Sequence, residues 1–216
     1  AFWFLIYGNI YCFANPLWHE TGHKTAFKSK FLNEFFYYVS SYLANFEPIR
    51  WRYTHFVHHG NTYSTENPFD YEIEYGNNLK ETPKNLIINL IPFMELVFFK
   101  RSVAYEIILH ALGIKTKVMQ NSIPENARAK AILYSRIYVA IWLAIILWSI
   151  LSASWLPVLL FLLPKYYGRT LHKLVSFTQH AGLARDIKDH RLTTREMYLN
   201  PVLSFLYWKM EYHLTH

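Results

Sequence analysis

Residues 137–164, IYVAIWLAIILWSILSASWLPVLLFLLP, run for 28 positions without a charged side chain. As one helix the run would extend about 42 Å at 1.5 Å per residue, longer than the ~30 Å hydrocarbon core of a bilayer. One strongly tilted span or a tight hairpin of two short spans would both accommodate that length. Ser152-Ala153-Ser154, with Pro157 behind them, marks the turn of a hairpin. The approach from Ala131 adds a single charge, Arg136.

Working outward, residues 1–18, AFWFLIYGNIYCFANPLW, are also uncharged and read as the last part of a membrane-spanning helix. They lack a basic leader and a small-residue cleavage site, so they are not read as a signal peptide. The chain opens without Met and ends within a histidine cluster, so we read residues 1–216 as one domain truncated at both ends. A composition of 52% hydrophobic and 19% aromatic residues excludes a disordered chain and is too apolar for an ordinary soluble domain. The single cysteine, Cys12, rules out an intrachain disulfide. A net charge of +7 suits an anionic membrane surface or an acidic protein partner. The basic residues form no dense run, so no nucleic-acid partner is expected. All 22 Lys and Arg residues fall in 24–136 or 165–209, which by the positive-inside rule places both stretches in the cytoplasm.

Seven of the eleven histidines sit in three short clusters: HETGHK from His19, THFVHH from Thr54, and YHLTH from Tyr212. Positions i, i+3 and i+4 share one face of a helix. That spacing predicts that His19 and His23 project together, as do His55, His58 and His59, and His213 and His216. Neutral imidazole is the commonest metal ligand, and seven donors exceed what one ion takes. Two ions sharing these clusters require all three on one side of the membrane, hence an even number of crossings between Gly60 and Tyr212. The hairpin reading supplies them.

Between the clusters, residues 24–52 alternate bases with aromatics and read as an interfacial helix. Pro48 is placed for the first turn of the helix bearing the second cluster. Residues 60–84 read as a polar loop, Thr82-Pro83 as a helix start, 85–99 as an interfacial or re-entrant segment, and 103–113 as a short apolar helix with a structural His110. Residues 165–183 read as a helix placing His172, Ser176 and His180 on one stripe, followed by a charged loop with His190. Asn200-Pro201 is an N-cap and first-turn pair opening a final helix that delivers His213 and His216.

HETGH matches the HExxH zinc-protease pattern, with Glu20 as general base. An intramembrane protease of that kind leaves most of the other histidines unemployed. A metal-binding or receptor-like membrane protein is the non-enzymatic reading. HETGHK, THFVHH, a hydrophobic hairpin, TQHAGL and YHLTH, in that order and spacing, resemble the membrane fatty-acid desaturase and hydroxylase family across the whole chain.

The resemblance implies an all-α, integral membrane helical bundle with a cytoplasmic helical cap carrying the histidine boxes. It implies two non-haem irons bound by His19, His23, His55, His58, His59, His180, His213 and His216. The family's third box ends in two adjacent histidines, the second of which would be residue 217. Ser176 stands where part of the family has an Asn facing the metals. The implied chemistry is O2-dependent hydrogen abstraction from an aliphatic chain of a lipid or fatty acid, ending in desaturation or hydroxylation. The first box also resembles the alkane hydroxylase branch. Electrons come from a separate ferredoxin, rubredoxin or cytochrome b5-type donor, because the chain has no dinucleotide fingerprint and no cysteine set for an iron–sulfur cluster. Lys24, Lys28, Arg185 and Lys188 offer that donor a basic face. Glu20, Asp70, Asp186, Asp189 and Glu211 are candidates to accept the N–H of a ligand imidazole, with Glu20 and Asp189 preferred. His172 and His190 are left outside the ligand set.

Overall fold

The structure, a computed structural model, describes residues 2–66, 68–73 and 90–215. Every regular element among them is helical. In chain order these are α1 Phe2–Cys12, α2 Ala14–Gly22, α3 Lys30–Ala44, α4 Pro48–Gly60, α5 Met94–Val97, a 3-10 turn Phe99–Arg101, α6 Val103–Ala111, α7 Lys117–Ser122 and α8 Glu125–Leu151. There follow α9 Leu156–Phe161, α10 Pro164–Gly168, α11 Thr170–His180, α12 His190–Thr193 and α13 Pro201–Leu206. The expected helix start at Thr82-Pro83 and the ligand His216 lie outside the described residues.

The apolar run folds as a hairpin. α8 ends at Leu151, Ala153 takes a positive φ of 47°, and the chain turns back through α9. Ser149 Oγ accepts from the Val158 N–H at 3.2 Å, tying the returning arm to the first. The first arm begins at Glu125, a dozen residues before the uncharged run. The returning arm is broken into α9, α10 and α11, with prolines opening the first two. Among the described residues only α8 is long and apolar enough to cross a membrane, and most of its apolar window faces outward. The expected span ending near residue 18 is likewise divided, at Phe13, because Pro16 has no N–H to continue the ladder.

Within 24–52 the expected helix covers only Lys30–Ala44, before α4 begins at Pro48. Asn33, Tyr37, Ser40 and Ser41 face the protein, whereas Phe31, Phe35 and Val39, four residues apart, face outward. Glu47 caps α4 by accepting from the N–H groups of Ile49 and Arg50, with Pro48 in the first turn as expected. Behind α2 and α4, Trp18, Tyr37 and Trp51 make a buried aromatic core. α1 crosses α10 with backbone against backbone: a Cβ on Gly168 would run into the backbone of Gly8.

Asn200 caps the last helix by accepting from Leu203 N–H, as its sequence predicts. That helix stops at Leu206, so His213 arrives on a turn rather than on a helical face. Trp208 and Lys209 both take positive φ, 54° and 65°, which ends the helix. Met197 N–H then bonds the Glu211 carbonyl at 3.1 Å and holds the turn against the segment before α13.

Candidate metal centre

Seven histidines fall into two groups. His19, His23, His55 and His59 each offer one ring nitrogen, and these nitrogens lie within 4.8 Å of one another; His58, His180 and His213 make a second such set. The sets adjoin, with ring centroids of His58 and His59 5.7 Å apart and those of His19 and His213 5.6 Å apart. α4 feeds both. His55 and His59, one turn apart, face α2, while His58, about 60° around the helix from His55, faces α11 and the final turn. The second cluster therefore does not act as one face: it is split between sites.

α2 carries His19 inside the helix and His23 as its C-cap, where Lys24 turns the chain away at φ 64°. His55 Nε2 lies 2.9 Å from His23 Nε2 and 3.1 Å from His59 Nε2. Two donors on adjacent octahedral positions with ~2.1 Å bonds stand ~3 Å apart, so this spacing fits a metal ion. His213 Nδ1 is buried without a hydrogen-bond partner among the described residues. The donor set, imidazole throughout, suits iron as well as zinc or copper.

The opposite nitrogens are held by acceptors. Glu20 takes His19 Nδ1 at 2.9 Å, Glu72 takes His55 Nδ1 at 2.8 Å, Asp70 takes His58 Nδ1 at 2.8 Å, and the Thr193 carbonyl takes His180 Nδ1 at 2.9 Å. Such bonds fix the tautomer and leave Nε2 bare for a metal. Burial pushes Glu20 up to about 7. Asp70, 1% exposed, also accepts from the Tyr63 and Glu72 N–H groups. Burial would raise Asp70, yet His58 and these N–H groups hold it below the usual carboxylate range. Burial would lower His58, but the charge and hydrogen bond of Asp70 win and raise it. Burial, and then the neighbouring His58, takes His180 down to about 3, and burial puts His213 well below its ordinary value.

Of the acids expected beside the histidines, Glu20 and Asp70 meet them. Asp189 does not: its carboxylate is committed to Arg191 at 2.9 and 2.7 Å and caps α12. Asp186 accepts from Thr65, and Glu211 from Ser204. Glu72 escaped the sequence reading. Its only signal is the alternation of acids in DYEIE after the second cluster.

Ser176 lines the roughly 110 Å³ cavity beside the histidines, as does His172. His190 Nδ1 lies apart, 3.4 Å from Thr62 Oγ1. His110 is fully buried and bonds Thr116, the structural role its isolation suggested.

No match was found among curated proteins or among solved structures. The profile of the family described as "Fatty acid desaturase" matches residues 1–216, the whole chain. With two adjoining histidine groups built from the boxes that carry the resemblance, the chain belongs to the fatty acid desaturase family.

Proposed function

We propose that this family member is a membrane-bound oxidoreductase that desaturates, or hydroxylates, an aliphatic chain of a lipid or fatty acid. It would use two non-haem irons, O2 and electrons from a separate ferredoxin, rubredoxin or cytochrome b5-type protein. The observation that carries this reading is the division of seven histidines into adjoining sets of four and three. His19, His23, His55 and His59 would hold one iron; His58, His180 and His213 would hold the other, with His216 assigned to that set from the third box. Held by these residues, two irons would supply O2 reduction and hydrogen removal from an unactivated C–H bond.

The chain's own residues do the positioning. Glu20, Glu72, Asp70 and the Thr193 carbonyl hold protons on the outer ring nitrogens, so the inner lone pairs stay directed at the metals. Trp18, Phe46 and Trp51 pack against this region and exclude water. The α8 hairpin would cross the bilayer, and the outward row of Phe31, Phe35 and Val39 would meet lipid. The basic stretches support a cytoplasmic metal centre, with Lys24, Lys28, Arg185 and Lys188 facing an acidic donor. A zinc protease is disfavoured by Glu20, whose carboxylate oxygen is engaged by its neighbour His19.

Metal analysis of the purified protein should find about two irons per chain, where a protease would hold one zinc. Lipids from cells making the intact protein should include species about 2 Da lighter for desaturation or about 16 Da heavier for hydroxylation. Unchanged lipids from iron-loaded, reductant-supplied cells would overturn the proposal.

A further inference from the structure

The inward face of α3 is largely polar and satisfies itself. The Asn33 amide donates to the Lys24 and Phe27 carbonyls and accepts from the Phe27 N–H, and the Ser40 hydroxyl donates to the Phe36 carbonyl within the helix. The outward face carries Phe31, 73% exposed, and Phe35, 50% exposed. In water such a helix lowers its free energy by turning its phenylalanines inward, so the observed orientation calls for apolar surroundings. The second half of α3 shows which surroundings these are. Tyr38 stacks on Tyr134 with ring centroids 5.3 Å apart, and Tyr42 meets Tyr138 edge-on at 5.4 Å. Both partners lie on α8, on either side of Arg136, the last charge before the uncharged run. α3 is thereby held at the level where α8 would enter lipid.

The apolar surface does not stop at α3. Ring contacts continue from Phe31 to Phe35 at 6.0 Å, to Phe36 at 5.3 Å, to Phe27 at 5.1 Å and to Trp208 at 6.1 Å. The Trp208 N–H donates to the Phe205 carbonyl. Phe205 and Val202, three residues apart on one face of α13, are 78% and 68% exposed. Two exposed lysines stand beside these rings in the chain, Lys30 before Phe31 and Lys209 after Trp208. Aromatic rings bordered by lysine suit a bilayer's headgroup boundary, where the ring lies among acyl chains and the ammonium reaches a phosphate.

We propose that this ridge, from α3 through Trp208 to α13, rests on the bilayer on the side of the metal centre. The lipid contact then extends beyond the α3 row to the segment that carries the third histidine cluster. His213 is delivered to its group by a turn seated on lipid, with Trp208, Phe205 and Val202 against acyl chains. The ridge is continuous with α3 and, through the two tyrosine contacts, with α8, which favours lipid over a protein as its occupant. The proposal rests on the membrane reading of α8 and is independent of iron.

The test places a nitroxide on single cysteines introduced into the full chain in phosphatidylcholine nanodiscs. Cys12 is 8% exposed, so the label goes to the introduced site. Phe205→Cys and Val202→Cys test the ridge, Leu147→Cys on α8 is the lipid reference, and Arg191→Cys, at a side chain 80% exposed, is the water reference. Collision of the nitroxide with O2, which concentrates in lipid, is compared with collision with a water-soluble nickel chelate. The O2-to-nickel ratio at 205 and 202 should match that at 147 and exceed that at 191 by about tenfold, as expected when a large apolar side chain has left water for lipid. A ratio at 205 and 202 equal to that at 191 overturns the ridge proposal alone if 147 reads as lipid, and the membrane reading with it if 147 reads as water. Shielding of both sites from both reagents means that a protein, a second copy or another partner, covers the ridge, and also overturns the proposal.

Discussion

The two histidine groups are built by different means. The first takes its four members from two neighbouring helices, as the one-turn pairs His19/His23 and His55/His59. The second takes one histidine from each of three distant segments: α4, the end of α11, and the turn after α13. Local periodicity builds the first. The second exists only if the α8 hairpin returns, α10 seats on α1, and the chain reverses at Trp208 and Lys209. The second group should therefore be the more fragile in number of donors, in dependence on the fold, and in response to protons.

The largest test removes one donor from each. His58→Ala leaves two described donors in the second group, whereas His59→Ala leaves three in the first. At saturating iron, His58→Ala should bind about one iron per chain, and His59→Ala should stay near two with weakened affinity. His58→Ala should then lose product formation by about a thousandfold or more, because the chemistry needs both ions, and His59→Ala, which keeps both, should lose less. Equal loss of iron from the two variants would break the asymmetry.

A fold-level substitution should reach the second group selectively. The side chain of Gly168→Val cannot coexist with the Gly8 backbone, so α1 and α10 must separate, and α11 with His180 follows directly in the chain. Overpacking of this kind costs about 1–3 kcal/mol or more. Thermal unfolding should show that loss, and iron titration should show the second iron weakened more than the first.

Next in size are the acceptors behind the rings. Asp70→Asn should weaken the second iron by about 10–100-fold, and Glu72→Gln the first by a similar factor, since such partners orient the ligand and raise its basicity. The effect of Asp70 should exceed that of Glu72. Asp70 is also bonded to two backbone N–H groups, and an amide can satisfy acceptor demand on only one of its two atoms. Asp189→Asn serves as the control, because its carboxylate meets Arg191 and no ligand.

How much of this was legible follows the same division. The uncharged run, Ser152–Ser154 and Pro157 left one tilted span or a hairpin open, and only the need to bring the histidine clusters to one side chose the hairpin; Pro48 and Asn200-Pro201 located two helix starts. Helical spacing paired His19 with His23 and His55 with His59. It also grouped His58 with its neighbours, because a wheel has no knowledge of what packs on either side of α4. Joining His58 to His180 and His213 needed the family resemblance, since those residues meet only through tertiary contacts. Spacing misled at His213, where a backbone reversal at two non-glycine residues has no clear sequence signal. Asp70 follows the second cluster and Asp189 precedes the lone His190 in the chain, and only the folded loop after α4 separates the one that reaches a ring from the one that caps a helix.

The smallest expected effect is on the pH dependence of the metal-free chain. His180, at about 3, and His213 have folded-state pKa values below the ordinary 6.5. Between pH 7 and 5 the unfolded chain gains protons at these positions that the folded chain refuses, so stability falls as pH drops. His58 acts in the opposite direction: Asp70 raises it, so its stabilising proton is present below the unfolded value and lost as pH rises through the folded one. These two histidines therefore push the urea midpoint down from pH 7 to 5, against His58 and against Glu20, which burial raises to about 7. His180→Gln should flatten that slope by removing a group that resists protonation. Asp70→Asn should steepen it, because His58 no longer gains from acidification. Comparing slopes rather than midpoints separates these signs from any general loss of stability. A steeper slope in His180→Gln, or a flatter one in Asp70→Asn, would mean that burial and the Asp70 carboxylate do not control protons in the second group.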